Sequence, residues 1–164
     1  MKNHPVLKRK DEIMVQFLKG DVIMKPGLGV GVMIIKENKI LLGLRNPDKI
    51  KAGSELQGQG TWTMPGGKVK FMETLLDAAK RELEEETNLK ATKLDFLCIS
   101  DDMTDTAHYV TVGFIVKEYS GDLKTLEPET ILKWEWFDLN NLPSNLYKPS
   151  QKCIEKYKTG IIYE

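Results

Sequence analysis

Residues 66–89 constrain the fold more than any other part of this chain, because they join a glycine turn to an amphipathic helix. Thr74, followed three residues later by Asp77, is typical of a capping box at the start of a helix. Asn88 is a residue type that tolerates the left-handed conformation in which many helices end. The stretch therefore predicts a helix that begins near Thr74 and ends at Asn88.

The apolar side chains of this predicted helix recur at spacings of three and four residues. On a helix that turns about 100° per residue, such positions fall on one side. The apolar stripe predicted in this way comprises Met72, Leu76, Ala79 and Leu83.

Glu82, Glu85 and Glu86 fall on an adjacent arc of the same helix. Like charges four residues apart destabilise an isolated helix by roughly 0.2–0.5 kcal/mol, and Arg81, which can reach Glu85, cannot neutralise all three. Carboxylates that converge beside an apolar stripe suit Mg²⁺ or Mn²⁺. The alternative is that the arc is a solvated helix face, which is the commoner meaning of a run of glutamates.

The residues before the helix favour the metal interpretation. Residues 62–67 read Trp-Thr-Met-Pro-Gly-Gly, and a Pro-Gly-Gly turn lets the backbone approach a ligand closely. Turn and helix together resemble the Nudix box, in which a glycine, five residues, Glu and seven residues precede Arg-Glu-apolar-any-Glu-Glu-any-Gly-apolar. The matching residues are Gly67, Glu73, Arg81, Glu82, Leu83, Glu85, Glu86 and Leu89. Asn88 stands where the family has glycine, and asparagine readily adopts the same left-handed dihedral angles.

The chain thus resembles a Nudix hydrolase from about residue 26 to residue 157. The resemblance implies an α/β fold of the Nudix type, an α/β/α sandwich with a mixed β-sheet. We assign this domain to residues 26–164 and treat residues 1–25 as an N-terminal extension of uncertain structure, within which 11–18 form a short helix or strand.

Family membership would also imply an activity, because Nudix enzymes cleave a diphosphate linkage attached to an organic group. Mg²⁺ is the implied cofactor, with Mn²⁺ able to substitute. Carried over by position, Glu82 and Glu86 are the principal metal ligands, Glu85 is a third, and the Gly66 carbonyl completes the set. Glu73 would support this site.

Arg81 would orient the carboxylates through charge-assisted hydrogen bonds. The catalytic base stays open between Glu82, Glu85 and Glu129. Glu129 enters because, in MutT-like relatives, a glutamate from the loop region at residues 127–129 approaches the metal site, with Glu127 as its alternate. The competing interpretation is that these loop acids are solvated.

Substrate contacts are expected outside the carboxylate arc. Arg45 ends a predicted strand near the implied substrate, Gly67 and Lys68 follow the turn, and His108 and Tyr109 begin a strand of which one face is expected to be core. For each charged candidate, the alternative interpretation is an exposed surface residue that does not contact the substrate. The rings that could stack on a base, although each is more often part of a core, are Trp62, Tyr109, Phe114 and Tyr147.

Apolar and β-branched patterns predict strands on both sides of the box. The predicted elements are a strand–turn–strand unit over 27–44 with its turn at 37–39, strands at 94–100, 108–116 and 131–137, and a closing helix at 149–157. Residues 101–105 are predicted to form an acidic loop.

The bulk composition fits one globular domain. The 164 residues carry 24 Lys plus Arg and 24 Asp plus Glu, so no net charge draws the chain to nucleic acid or membrane. The Lys-rich N-terminus has no long apolar run, which predicts neither a signal peptide nor a transmembrane span. We expect a cytoplasmic monomer or homodimer that binds a small nucleotide, with Cys98 and Cys153 as buried or free thiols.

Residues outside the box resemble the MutT-like, nucleoside triphosphate branch of the family. The similarity lies in residues 62–67, 108–111, and Glu-Pro-Glu at 127–129 followed by Trp-Glu-Trp-Phe at 134–137. The expected reaction is hydrolysis of a nucleoside triphosphate to monophosphate and pyrophosphate. The alternatives are hydrolysis of a sugar-linked nucleoside diphosphate such as ADP-ribose, and a Nudix-fold sensor that binds nucleotide without turnover. The complete set of box glutamates favours an enzyme.

Overall fold

The computed structural model describes residues 25–163 of the chain. Almost all of the predicted N-terminal extension, including the short element at residues 11–18, lies outside the described residues.

Eight strands and three helices form between residues 25 and 163. In chain order they are β1 (Gly27–Met33), β2 (Ile35–Lys36), β3 (Lys39–Arg45), α1 (Lys49–Ala52), β4 (Trp62–Thr63), β5 (Gly66–Lys68), α2 (Leu75–Thr87), β6 (Lys90–Met103), β7 (His108–Ser120), β8 (Ile131–Asp138) and α3 (Lys148–Thr159). None of these described helices has both the length and the apolar character that a membrane crossing would need.

The strands form two four-stranded sheets. The first has the order β5-β1-β7-β6 and is mixed, because β1 and β7 run parallel whereas the other neighbours run antiparallel. The second joins β2, β3 and β4 in that order with β8 on β3, and all its pairs are antiparallel. The predicted mixed sheet is confirmed, and the structure adds a second, antiparallel sheet.

Side-chain alternation along the strands builds two apolar clusters. Val30 and Val32 of β1 pack with Leu83 of α2, whereas Met33 packs with Cys98 and with Ile154 of α3. Because successive strand residues point to opposite faces, the strands lie between the two helices. This arrangement is the expected α/β/α sandwich. Cys98 and Cys153, which are far apart in sequence, are buried free thiols with their Sγ atoms 3.3 Å apart.

Both predicted ends of helix α2 are confirmed. The Thr74 hydroxyl accepts a hydrogen bond from the Asp77 N–H at 3.1 Å, and Asn88 closes the helix with a φ of 64°. These contacts satisfy backbone groups that a helix end leaves without partners.

The predicted apolar stripe of α2 is wrong in its first half. Met72 precedes the helix and is 87% exposed, and Leu76 is 47% exposed. The cap at Thr74 leaves Met72 in the preceding turn, and the inward face runs through Ala79, Leu83 and Glu86 instead. One of the three glutamates is therefore part of the buried face.

The acidic loop predicted at residues 101–105 is also wrong. Asp101 and Asp102 pair with Val110 and Tyr109 inside the β6–β7 ladder, so the connection shrinks to residues 104–107. Asp102 is buried, with the Lys152 ammonium group 3.0 Å from one carboxylate oxygen, and the Thr111 hydroxyl donates to the other oxygen at 2.7 Å. That hydrogen bond compensates a polar group inside a strand, which the sequence pattern did not reveal.

Candidate functional site

A cleft with a volume of about 480 Å³ opens between the mixed sheet, helix α2, the segment after α1 and the start of α3. The fold gathers residues from eight separate elements there. The predicted site residues that line it are Arg45, Gly66, Gly67, Lys68, Glu82, Glu86 and Tyr109.

Two glycines of β5 allow close approaches beside this cleft, Gly66 to the backbone of β1 and Gly67 to the Glu82 carboxylate of α2. A Cβ atom on Gly66 would lie 2.1 Å from the Val30 carbonyl oxygen, and one on Gly67 would lie 2.6 Å from the Glu82 carboxylate. Strand β5 is at the edge of the mixed sheet, so the missing side chains leave a gap beside the helix. The Pro-Gly-Gly turn therefore positions backbone against carboxylate.

Glu86 is the most strongly perturbed carboxyl group of the cleft. It is 7% exposed, and its Oε2 accepts a hydrogen bond from the Gly66 N–H at 3.0 Å. Burial raises the pKa of Glu86 to about 8, and the negative charges of Glu82 and Glu127 act in the same direction. A cation bound beside this carboxyl group would favour its ionised form.

The Glu82 carboxyl group is also desolvated, but less than that of Glu86. Desolvation raises the pKa of Glu82, and the bond from Arg81 opposes that shift. Two desolvated carboxyl groups side by side form a site at which a positive charge is stabilised.

Arg81 donates hydrogen bonds to three surrounding carboxylates. Its guanidinium donates to Glu73 at 2.6 and 2.9 Å, to Glu82 at 2.5 Å and to Glu85 at 3.0 Å. It also donates to the Lys68 carbonyl at 3.1 Å, which links helix α2 to the end of β5. The bond from Arg81 is the main cause that lowers the pKa of Glu73 to about 2. Glu73 and Arg81 thus hold the Glu82 carboxylate in place.

Arg45 brings a buried positive charge to the cleft. Its guanidinium lies 5.0 Å from the centre of the Tyr147 ring and donates to the Ala52 carbonyl. Burial lowers the pKa of Arg45, yet a guanidinium remains charged in proteins. Within the described residues its Nε is buried without a hydrogen-bond acceptor.

Lys68 and Tyr109 share a partner that sequence reasoning missed. The Glu55 carboxylate lies 2.5 Å from the Lys68 Nζ and accepts a hydrogen bond from the Tyr109 hydroxyl at 2.7 Å. Glu55 belongs to the loop between β3 and β4, where no motif marks it in the sequence. It lines the cleft together with the two residues that it contacts.

Some predicted site residues lie elsewhere. The walls formed by residues 25–163 do not include Glu85, Glu129 or His108. Glu85 faces Arg81 and Lys70, and the exposed Glu129 side chain lies 3.3 Å from the Lys51 Nζ.

The position of His108 follows from strand alternation. Tyr109 and Thr111 face the cleft, so His108 points to the other side of β7, where its Nε2 lies 3.7 Å from Asp101. The same alternation buries Phe114 in the core, and Trp62 packs edge-on against Phe137. Of the four candidate stacking rings, Tyr109 and Tyr147 therefore line the cleft.

The donors of the cleft suit a divalent cation that prefers oxygen. Between residues 25 and 163, no group of three or more His, Cys, Asp or Glu side chains is close enough to hold a metal ion alone. The cleft offers the carboxylates of Glu82 and Glu86 beside the backbone of Gly66. Mg²⁺ commonly binds through one or two carboxylates and keeps several waters, so this smaller set fits such an ion.

Comparisons with known proteins identify the family of this chain. The NUDIX domain family model matches residues 25–157. An ADP-ribose pyrophosphatase of Methanocaldococcus jannaschii is 32% identical over 154 residues, which cover 93% of this chain and 82% of that protein. An 8-oxo-dGTP diphosphatase of Buchnera aphidicola is 33% identical, with 80% of this chain and 93% of that protein covered.

A solved structure gives the same result for the fold. The MutT NUDIX hydrolase of Burkholderia pseudomallei superposes with a TM-score of 0.72 at 28% identity, covering 80% of this chain and 97% of that one. A family model that spans most of the sequence, and relatives aligned over most of their own lengths, establish that this chain belongs to the Nudix hydrolase family.

Proposed function

We propose that this chain hydrolyses nucleoside triphosphates to nucleoside monophosphate and pyrophosphate in a metal-dependent reaction. The observation that carries the proposal is the pairing of charges in one cleft. Glu82 and Glu86 line this cleft together with the cations Arg45 and Lys68. A polyphosphate needs cationic donors along its length and acids that hold a metal against it.

Glu82 and Glu86 would hold Mg²⁺ or Mn²⁺, with the Gly66 carbonyl as a further oxygen ligand. When bound, the metal neutralises phosphate charge and makes water a better nucleophile. Arg81 and Glu73 keep Glu82 oriented, so that the metal site costs little reorganisation. Among the three candidates for the base, Glu82 is best supported, because it lines the cleft.

Binding of the nucleotide would use the chain's own cationic and aromatic groups. The Arg45 guanidinium supplies one positive charge to the cleft for a phosphate group, and Lys68 supplies a second. The rings of Tyr109 and Tyr147 offer apolar faces at which a base could stack. Positioning and charge neutralisation account for most of phosphoryl-transfer catalysis, and these contacts supply both.

Hydrolysis of a sugar-linked nucleoside diphosphate is the second candidate. The relative from Methanocaldococcus jannaschii that covers 93% of this chain is an ADP-ribose pyrophosphatase. The same carboxylates and cations would serve either substrate, since both contain a diphosphate linkage. The two candidates differ in what occupies the remainder of the cleft.

A hydrolysis panel separates the candidates. Normal and oxidised nucleoside triphosphates, ADP-ribose and other sugar nucleotides are incubated with Mg²⁺ or with Mn²⁺, and the products are identified. Monophosphate plus pyrophosphate from triphosphates would support the proposal. Turnover restricted to sugar nucleotides would replace it by the second candidate, and tight binding without any turnover would indicate a sensor.

A further inference from the structure

Residues 53–57 form a segment that borders open space on two sides. One side faces the cleft itself, and the other faces a second hollow of about 440 Å³ that Thr106 of the β6–β7 turn also lines. Gly53, Ser54 and Glu55 border both spaces. We call this segment the wall because it lies between the cleft and the second hollow.

Side-chain hydrogen bonds to cleft residues hold this wall in place. The Ser54 hydroxyl lies 3.0 Å from the Tyr147 hydroxyl, on the α3 side of the cleft. Glu55 contacts Lys68 of β5 and Tyr109 of β7, on the sheet side. The segment thus uses groups that line the cleft and that a ligand would otherwise meet.

The two donors around Glu55 form a small anion site. An ammonium group approaches one carboxylate oxygen at 2.5 Å, and a phenol hydroxyl donates to the other oxygen at 2.7 Å. Both donors belong to strands of the mixed sheet, whereas the acceptor belongs to the loop. A phosphate oxygen requires the same kind of donors as a carboxylate oxygen.

We propose that Glu55 is an internal competitor that occupies a phosphate subsite made by Lys68 and Tyr109. In the free protein the Glu55 carboxylate holds the wall across the cleft, and a polyphosphate displaces it and takes over both donors. The identification of the anion as a substrate phosphate rests on the proposed function. The existence of an anion subsite rests on the contacts alone.

We expect competition from Glu55 to weaken phosphate binding only modestly. The Lys68 and Glu55 side chains are 61% and 57% exposed, and ion pairs at such positions are screened by water and salt. A ligand that needs the open state binds with its affinity reduced in proportion to the fraction of protein that is open. Every phosphate that uses this subsite, including a released product, therefore binds more weakly than it would without Glu55.

Replacing Glu55 by Gln removes the charge but keeps the size of the side chain. We expect E55Q to bind inorganic tripolyphosphate, in the presence of Mg²⁺, about three- to tenfold more tightly than the original protein. The substrate KM should fall by the same factor. Titration calorimetry gives the dissociation constant without any need for turnover.

Two further variants make the test specific. E135Q breaks the exposed Lys133–Glu135 pair on β8, whose atoms are also 2.5 Å apart, and should leave tripolyphosphate binding unchanged. K68M should weaken binding, and in the K68M background the E55Q substitution should have little effect, because the two changes act on one contact.

Unchanged or weaker tripolyphosphate binding by E55Q would overturn the proposal, as would absence of binding to E55Q. Weaker binding would mean that Glu55 contacts the ligand itself. If E55Q binds tripolyphosphate more tightly but no nucleotide is hydrolysed, the proposed function fails and the phosphate subsite stands.

Discussion

Glu86 shows how one side chain can belong to both the core and the cleft. It lies on the inward face of α2, two turns after Ala79, and its carboxylate meets the Gly66 N–H at the cleft wall. A helix face that is otherwise apolar leaves this acid desolvated, which is why its pKa is raised to about 8. Burial makes the ionised form of Glu86 unfavourable, and a cation bound beside the carboxylate would offset this desolvation.

Replacing Glu86 by Gln tests its role at the metal. The amide keeps the size of the side chain but cannot supply a negative charge, so turnover should fall far more than about tenfold, while the fold stays near native. Steady-state hydrolysis and circular dichroism measure the two effects. E84Q on the exposed side of the same helix, where Glu84 pairs with Lys90, is the matched control. Ordinary activity in E86Q would remove Glu86 from the proposed metal ligands.

At the scale of elements, helix α2 and strand β5 position the site through their ends and their edges. Asn88 ends the helix with a φ of 64°, and its side-chain amide donates to the Asp122 carbonyl at 3.0 Å. The helix therefore ends as the box requires without the box's last glycine, because a second residue type adopts that conformation and adds a hydrogen bond.

Substitution of Asn88 separates these two contributions. Glycine keeps the left-handed conformation but loses the bond to Asp122, so we expect N88G to cost at most about 1 kcal/mol of unfolding free energy. N88A loses the bond and must also adopt a strained conformation, which should cost about 1–2 kcal/mol more. Urea denaturation measures both variants. Equal stability of N88G and N88A would show that backbone conformation is unimportant at this helix end.

Replacing Gly67 by Ala tests the edge of β5. The added Cβ would lie 2.6 Å from the Glu82 carboxylate, so the carboxylate must move. We expect weaker Mn²⁺ binding and a large loss of turnover with only a small change in melting temperature, because the displacement is local. Calorimetric Mn²⁺ titration and thermal melting measure these quantities. Unaltered Mn²⁺ affinity would mean that the position of Glu82 does not matter to the metal.

For the whole molecule, the buried Glu86 of the cleft makes stability depend on pH. The pKa of Glu86 is about 8 in the folded chain against an ordinary value of 4.5, so the folded state holds a proton that the unfolded state releases. Stability from this group is therefore complete below pH 4.5 and is lost as the pH rises to about 8. The energetic scale of the effect is about 1.4 kcal/mol for every tenfold difference in proton affinity between the folded and unfolded states.

The melting temperature of the metal-free protein should fall between these pH values. E86Q should show a flatter profile, since the amide does not titrate, and Mg²⁺ should offset the decline in the original protein, because it binds the ionised form. Melting curves in a chelator and in Mg²⁺ across the pH range measure this. An identical pH profile for E86Q and the original protein would contradict the assignment.

The sequence alone determined what depends on neighbours along the chain. The cap at Thr74, the left-handed Asn88 and the polar turn before β3, in which Asn38 has a φ of 63°, follow from local backbone preferences. Fixed spacing within one helix also brought Glu82 and Glu86 together. The resemblance to the Nudix family then predicted the overall fold and the candidate substrate contacts Arg45 and Tyr109.

The tertiary structure decided what depends on contacts between distant segments. Glu55 reaches Lys68 and Tyr109 only because a loop crosses the sheet, and no local pattern encodes that crossing. Asp102 joins a strand because a hydroxyl from the next strand compensates its burial. Strand register turned His108 away from the cleft, since a side chain's face depends on the pairing of the whole strand. Local preferences thus placed the carboxylates together on one helix, whereas tertiary packing determined which residues surround them.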